Sequence, residues 1–230
     1  MLVRNMLRTY VDYRPYECWT FGSECDGGFA QFAVAPARET YAVESDWSDT
    51  DLAAIPCTYS TAENMLHRAG VTAGERVLVT GVSGGVGLAA VQLAKRRGAF
   101  VIAVCSPEVA DRLDLLRPGG RYAIAGAISG PHAQVNLRTI YPKDLRLLGC
   151  TFQDDEVFEN LVRYIEANEI RPVVSQTYPL AEIARAQQDF LAKKHTGKLV
   201  LLPPPRKPAA AAESAAGEAG PESHKTEVSL

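Results

Sequence analysis

Val77-Leu78-Val79-Thr80-Gly81-Val82-Ser83-Gly84-Gly85-Val86-Gly87 runs straight into Leu88-Ala89-Ala90-Val91-Gln92-Leu93-Ala94-Lys95. The first part is β-branched and apolar, as a buried strand requires. The last part carries apolar residues at three- and four-residue spacing, the period of a helix with one covered face. Between them lies a glycine turn. A strand, a glycine turn and a helix in that order leave unpaired backbone N–H groups at the helix N-terminus, where a diphosphate can sit. The strict dinucleotide fingerprint wants glycine at three positions, which here are Val82, Gly84 and Gly87, with Gly81 supplying the tight turn just upstream. A plain strand-to-helix turn would explain the layout, but it accounts less well for adjacent positions that free the backbone. No Gly-Lys-Ser/Thr follows, so the segment is not a phosphate-binding P-loop.

The chain has 230 residues, 47% hydrophobic and 22% charged, with a formal net charge of -3. That profile is globular and gives no electrostatic reason to expect nucleic acid or an acidic membrane as a partner. No apolar run reaches the length of a membrane span, and the opening residues lack a continuous apolar core, so a cytoplasmic location is the expectation. The five cysteines are Cys18, Cys25, Cys57, Cys105 and Cys150. They are odd in number and lack paired CxxC spacing, which fits reduced thiols better than a disulfide framework.

Outward from the glycine turn, Phe29 to Val34 reads as a strand and Ser48 as the N-cap of a helix, with Asp51 three residues on. A helix over Ser60 to Ala69 should stop at Gly70. Phe100 to Cys105 is continuously apolar, as in a strand covered on both faces. A helix over Glu108 to Arg117 and strands over Arg121 to Ala127 and Leu145 to Phe152 should follow. Asp154 is placed to cap a helix over Glu156 to Ala167. A helix over Ala181 to Lys194 and a strand over Lys198 to Leu202 complete the pattern. From Pro203 the composition turns to Pro, Ala, Glu, Gly and Ser without apolar period, and disorder is expected there.

With these elements placed, the chain resembles the medium-chain dehydrogenase/reductase superfamily of zinc-type alcohol dehydrogenases and quinone oxidoreductases. The motifs are Gly27-Gly28-Phe29-Ala30-Gln31-Phe32, Ile55 through Thr61, Val79 through Lys95, Leu116 through Arg121 and His195 through Leu201. The resemblance implies an α/β chain: a shortened Rossmann-like doubly wound parallel sheet with a remnant of a GroES-like β-domain. It divides the chain at 1–60 (catalytic-domain remnant), 61–180 (dinucleotide-binding domain), 181–202 (helix and strand returning to the catalytic domain) and 203–230 (tail). It also implies roles for single residues. Cys57 matches a catalytic zinc ligand, and Thr61 a catalytic-site residue touching the nicotinamide. Gly81, Gly84, Gly85, Val86 and Gly87 form the diphosphate-binding turn. Ala127, Cys150 and Phe152 match backbone lining the nicotinamide amide.

Two departures from the family pattern bear on activity. The portion that supplies the other zinc ligands is expected to be absent, and Cys57 alone cannot hold a catalytic zinc, which takes about three protein ligands. Only Ser106 to Gly120 separates the second dinucleotide strand from Arg121. That interval has room for one crossover helix where the family has further strands, so an internal deletion near Asp111 to Leu113 is expected, with the Arg121 strand moved beside the Arg76 strand. The second strand ends in Cys105-Ser106-Pro107 without the carboxylate that selects NAD, so Ser106 points to NADP(H) in preference to NAD(H). The resemblance therefore implies NAD(P)(H)-dependent hydride transfer to or from a small alcohol, aldehyde, ketone or quinone, in a chain that can also form homo-oligomers. The alternative is an inactive member that only binds nucleotide or a partner subunit.

Overall fold

The computed structural model describes residues 1–8, 17–104, 113–127 and 130–205, with backbone only at Arg8. Strand β5 (Arg76–Thr80), helix α3 (Gly85–Arg96) and strand β6 (Phe100–Val104) form the first of three units in which a helical segment joins two parallel strands. The second is β7 (Arg121–Ile124), the short helix α4 (Leu137–Ile140) and β8 (Arg146–Gly149). The third is β9 (Val174–Pro179), α6 (Ile183–Ala192) and β10 (Lys198–Leu202). Parallel strands cannot be joined by a tight hairpin, so each connection must climb over the sheet, and a helix is the compact way to do it. Two short antiparallel pairs precede these units: β1 (Leu2–Val3) with β4 (Thr40–Tyr41), and β2 (Met6–Arg8) with β3 (Cys18–Thr20). The architecture is Rossmann-like α/β, as the glycine turn implies.

The core sits between α2 (Thr58–Arg68), α3 and α5 (Asp155–Glu166). Tyr59, Ala62 and Leu66 of α2 fall on one face, and Ala89, Ala90, Leu93 and Ala94 of α3 meet them. The fully buried alanines Ala62, Ala89 and Ala94 allow the two helices to approach closely. Phe158, Leu161 and Ile165 of α5 close the cluster, with the Phe158 ring 4.7 Å from that of Tyr41.

Several expectations are met and several are corrected. Ser48 caps α1 (Asp49–Ala53), its hydroxyl accepting from the Asp51 N–H at 3.1 Å. Gly70 ends the second helix in the left-handed region at φ 58°, one residue beyond Ala69. Asp154 occupies the N-cap of α5, but its side chain does not bond the helix; it lies 3.8 Å from His67 Nε2 instead. The Phe29–Val34 stretch is not a strand: among the described residues no neighbour offers it a ladder, and Phe29, Phe32 and Val34 are 72%, 70% and 93% exposed. β-propensity reports packing against neighbours, and without them the residues have no reason to extend. β6 is covered on one face only, with Val101 against the α3 layer and Phe100 and Ile102 exposed. β7 pairs with β8, and among the described residues no ladder joins it to β5. The connection between them is made by side chains: Arg121 of β7 bonds Glu75 and the Gly70 carbonyl at the lip of β5. Residues 108–112 of the helix expected over Glu108 to Arg117 lie outside the described residues, and 113–115 form a turn instead. The 203–230 tail lies outside them from residue 206 onward.

Arg4 ties the N-terminal strands to the start of α5. Its guanidinium pairs with the equally buried Glu39 and reaches Asp155 Oδ1 at 3.2 Å and the Gln153 carbonyl at 3.5 Å. Removing one partner of a buried pair strands the other charge. Glu39→Leu is therefore expected to lower unfolding free energy by about 3–5 kcal/mol in urea titration, and Arg4→Met/Glu39→Leu together to lower it by less.

Candidate dinucleotide site

At the end of β5 the chain turns through Gly81, at φ 67°, whose N–H bonds the Val104 carbonyl of β6 at 3.0 Å. Gly84 N–H returns to the Gly81 carbonyl at 3.0 Å, closing the turn. A β-carbon on Gly87 would stand 2.3 Å from that same carbonyl oxygen. Only glycine lets the first turn of α3 pass so close to the strand end. Val82 holds the position where the strict fingerprint has glycine. Its side chain is buried in the core, while Gly81 makes the bend.

Gly84 is the N-cap of α3, and among the described residues no side chain caps the helix end. The helix ladder begins with Leu88 N–H to the Gly84 carbonyl at 3.0 Å, so the N–H groups of Gly85, Val86 and Gly87 are not used by α3 itself. Gly81 and Gly84 add no side chain in front of them. The arrangement fits a diphosphate, with unspent donors and the positive end of a twelve-residue helix at one place. A β-carbon on Gly85 would meet Thr58 Cγ2 at 2.7 Å and Lys198 Cδ at 3.1 Å, so α2 and β10 both press on the turn. Gly84 and Gly197 also form an isolated parallel bridge, with Gly197 N–H donating to the Ser83 carbonyl at 3.4 Å.

Helix α2 carries the other expected residues. Cys57 is exposed at its N-cap, and the Thr61 hydroxyl donates to the Cys57 carbonyl at 2.7 Å. Ser60, one residue earlier, donates to Asn5 Oδ1 at 2.8 Å and accepts from Gln153 Nε2 at 3.0 Å. That link, with Arg68 Nη1 on the Phe152 carbonyl at 3.5 Å, fixes the segment after β8 against α2. Cys150 and Phe152 are buried there, and burial pushes the Cys150 thiol above its ordinary range. Ala127, beyond β7, is exposed with its carbonyl taken by Gly130 N–H at 3.0 Å. The structure thus gathers Gly81 to Gly87 into one turn and places Thr61 on the helix packed against it. Ser106 lies outside the described residues. Thr58 and Lys198 are neighbours of the turn that sequence reasoning did not single out; their only signal was membership of the Ile55–Thr61 and His195–Leu201 motifs.

A zinc ion does not fit the residues present. Cys57 is exposed, and among the described residues no three His, Cys, Asp or Glu side chains gather to hold a metal.

Residues 87–201 match the family model described as zinc-binding dehydrogenase. The chain belongs to that family. Its medium-chain dehydrogenase/reductase character extends over most of the described residues. Quinone oxidoreductase of Sus scrofa is 29% identical over 234 residues, covering 78% of this chain and 70% of that protein. A solved structure from Sinorhizobium meliloti 1021, assigned as an alcohol dehydrogenase, superposes with a TM-score of 0.81 at 38% identity, over 88% of this chain and 68% of that one. The quinone oxidoreductase of Thermus thermophilus, solved alone and with NADPH, gives a TM-score of 0.65 at 26% identity, over 76% and 74% of the two chains. Against the spectinabilin polyketide synthase system protein NorB of Streptomyces orinoci, at 30% identity, the chain covers 78% of itself but only 10% of that protein.

Two outcomes follow from the geometry. Gly87→Ala should lower thermal stability by several degrees, since the added carbon must displace backbone, whereas Gly149→Ala, with open space around it, should change stability by less than about 0.5 kcal/mol. Iodoacetamide should label exposed Cys57 well before buried Cys150, and adding zinc should not slow the Cys57 reaction; mass spectrometry of timed samples reads both.

Proposed function

We propose that this chain is an NADP(H)-dependent oxidoreductase that moves hydride between the nicotinamide and a small aldehyde, ketone, alcohol or quinone. The observation that carries the reading is the uncapped N-terminus of α3, seated behind a glycine turn too tight for any other residue at Gly87. Family membership and the likeness to a quinone oxidoreductase solved with NADPH support it. When bound, the nicotinamide supplies or accepts the hydride.

The chain's own residues bind and orient. The N–H groups of Gly85, Val86 and Gly87 hold the diphosphate, with Gly81 and Gly84 shaping the approach. Thr61 stands beside the nicotinamide. Its hydroxyl proton is committed to the Cys57 carbonyl, so the oxygen is left as an acceptor rather than a general acid. The backbone at Ala127, Cys150 and Phe152 receives the nicotinamide amide. Ser106 takes the 2′-phosphate, as the absence of a carboxylate in Cys105-Ser106-Pro107 allows. In this reading residues 61–180 hold the nucleotide, and 1–60 with 181–202 make up the substrate side. Self-association, through surfaces such as the exposed face of β6, belongs to the same reading. No step is assigned to zinc. A quinone, which accepts two electrons without an external Lewis acid, is the acceptor best suited to these residues.

A second reading, cofactor binding without turnover, is favoured by one observation: among the described residues β5–β6 and β7–β8 share no ladder, so no backbone pairing there holds the two sides of the nicotinamide pocket in one sheet. Loss of NADPH absorbance with a quinone or ketone present separates the two. The oxidoreductase reading expects turnover and tighter NADPH than NADH binding. It expects Ser106→Asp to weaken NADPH about tenfold by charge repulsion while sparing NADH. Saturable NADPH uptake without oxidation of any acceptor would leave the binding reading in its place.

A further inference from the structure

We propose that the cleft between the C-terminal end of α3 and the C-terminal half of α5 is a second ligand site, one that takes a small organic carboxylate. The cleft has a volume of about 340 Å³ and is lined by Arg96, Asn160, Arg163, Tyr164, Ala167 and Glu169. Helix α3 has twelve residues, so about 18 Å of helix separates this cleft from the glycine turn. The assignment stands independently of the dinucleotide reading.

An arginine in the last turn of a helix is ordinary, since that end carries partial negative charge. What sets Arg163 apart is the partner its head group takes. Glu159 and Glu166 lie one turn before and after it on α5, at the spacing of helical ion pairs, yet among the described residues neither pairs with it. Arg163 Nη2 donates to Asn160 Oδ1 instead. Asn160 is itself held from behind, its Nδ2 donating at 3.5 Å to Oε1 of the fully buried Glu63, which pairs with Arg97. An arginine only donates and a carboxylate only accepts, so the Asn160 amide has a single orientation. Arg163 thus brings a full positive charge to the cleft with a neutral amide as its partner, and that amide is anchored in the core.

The other guanidinium is already engaged. Arg96 lies 3.5 Å from the centroid of the Tyr164 ring and pairs with Glu169, while the Tyr164 hydroxyl donates to Glu63 Oε1 at 3.4 Å. Two guanidinium groups against one carboxylate leave the lining with one surplus positive charge, which suits a monoanion better than a doubly charged phosphate. A planar guanidinium meets a carboxylate through parallel N–H donors. Ala167 and the stem of Arg96 offer apolar surface to a short hydrocarbon body.

Benzoate, benzyl alcohol and inorganic phosphate, each titrated into the cofactor-free full chain, test the assignment by calorimetry and amide NMR. Benzoate should saturate one site with a dissociation constant on the order of 1 mM and shift the amides of Asn160, Arg163 and Ala167. Benzyl alcohol, which lacks the charge, and phosphate should each bind about tenfold more weakly or worse. Arg163 is exposed, so Arg163→Gln should melt as the unaltered chain does while losing about tenfold in benzoate affinity. Arg163→Lys, which keeps the charge without the planar fork, should recover part of that loss. Benzoate affinity unchanged in Arg163→Gln, or no saturation by benzoate in the unaltered chain, overturns the site. Phosphate bound as tightly as benzoate overturns the carboxylate class.

Discussion

A β-carbon on Gly87 would stand 2.3 Å from the Gly81 carbonyl oxygen, and that closeness governs what surrounds it. It lets α3 start directly over the end of β5, with the N–H groups of its first turn not used by the helix itself. The same start brings Gly84 against Gly197 and thereby sets where β10 begins. It also seats Ala89, Ala90, Leu93 and Ala94 of α3 against Ala62 and Leu66 of α2, the packing that fixes the helix bearing Cys57 and Thr61. Core and site are thus consequences of one tight turn.

The polar links around this turn are as specific as the packing. Ser60 joins Asn5 to Gln153, and Arg4 joins Glu39 to Asp155, so the N-terminal strands, α2 and the segment after β8 are held by groups distant in sequence. Glu75 accepts from the Thr72 N–H and receives Arg121 and Arg117 at the lip of β5; the Thr72 bond foremost, and then the two guanidinium groups, hold its carboxyl below the usual range. Among the described residues, side-chain bridges of this kind connect β5–β6 to β7–β8 where backbone ladders do not.

What could be read in the sequence was what is local. The turn, the strand before it and the helix after it depend on residues within a few positions of one another, and β5, α3, β6, β7, β8 and β10 all lie where their patterns put them. The Ser48 cap and the Gly70 stop are local in the same sense. Expectations that required a neighbour fared worse. Among the described residues, Phe29 to Val34 has strand composition but no partner strand, and Phe100 and Ile102 are apolar yet exposed. β9 was not seen because Val174-Ser175-Gln176-Thr177 has little apolar pattern; it is a strand because β10 runs beside it. Thr58 and Lys198 escaped notice at the site for the same reason, since each reaches Gly85 from a distant element.

The central claim is that the backbone N–H groups opening α3 receive the anionic bridge of a pyridine dinucleotide. Amide resonances of Gly85, Val86 and Gly87, followed by NMR during addition of NADPH, test it most directly. The expected result is that these three shift and saturate together at one equivalent per chain. Shifts elsewhere with these three unmoved, or no shifts at all, would contradict it.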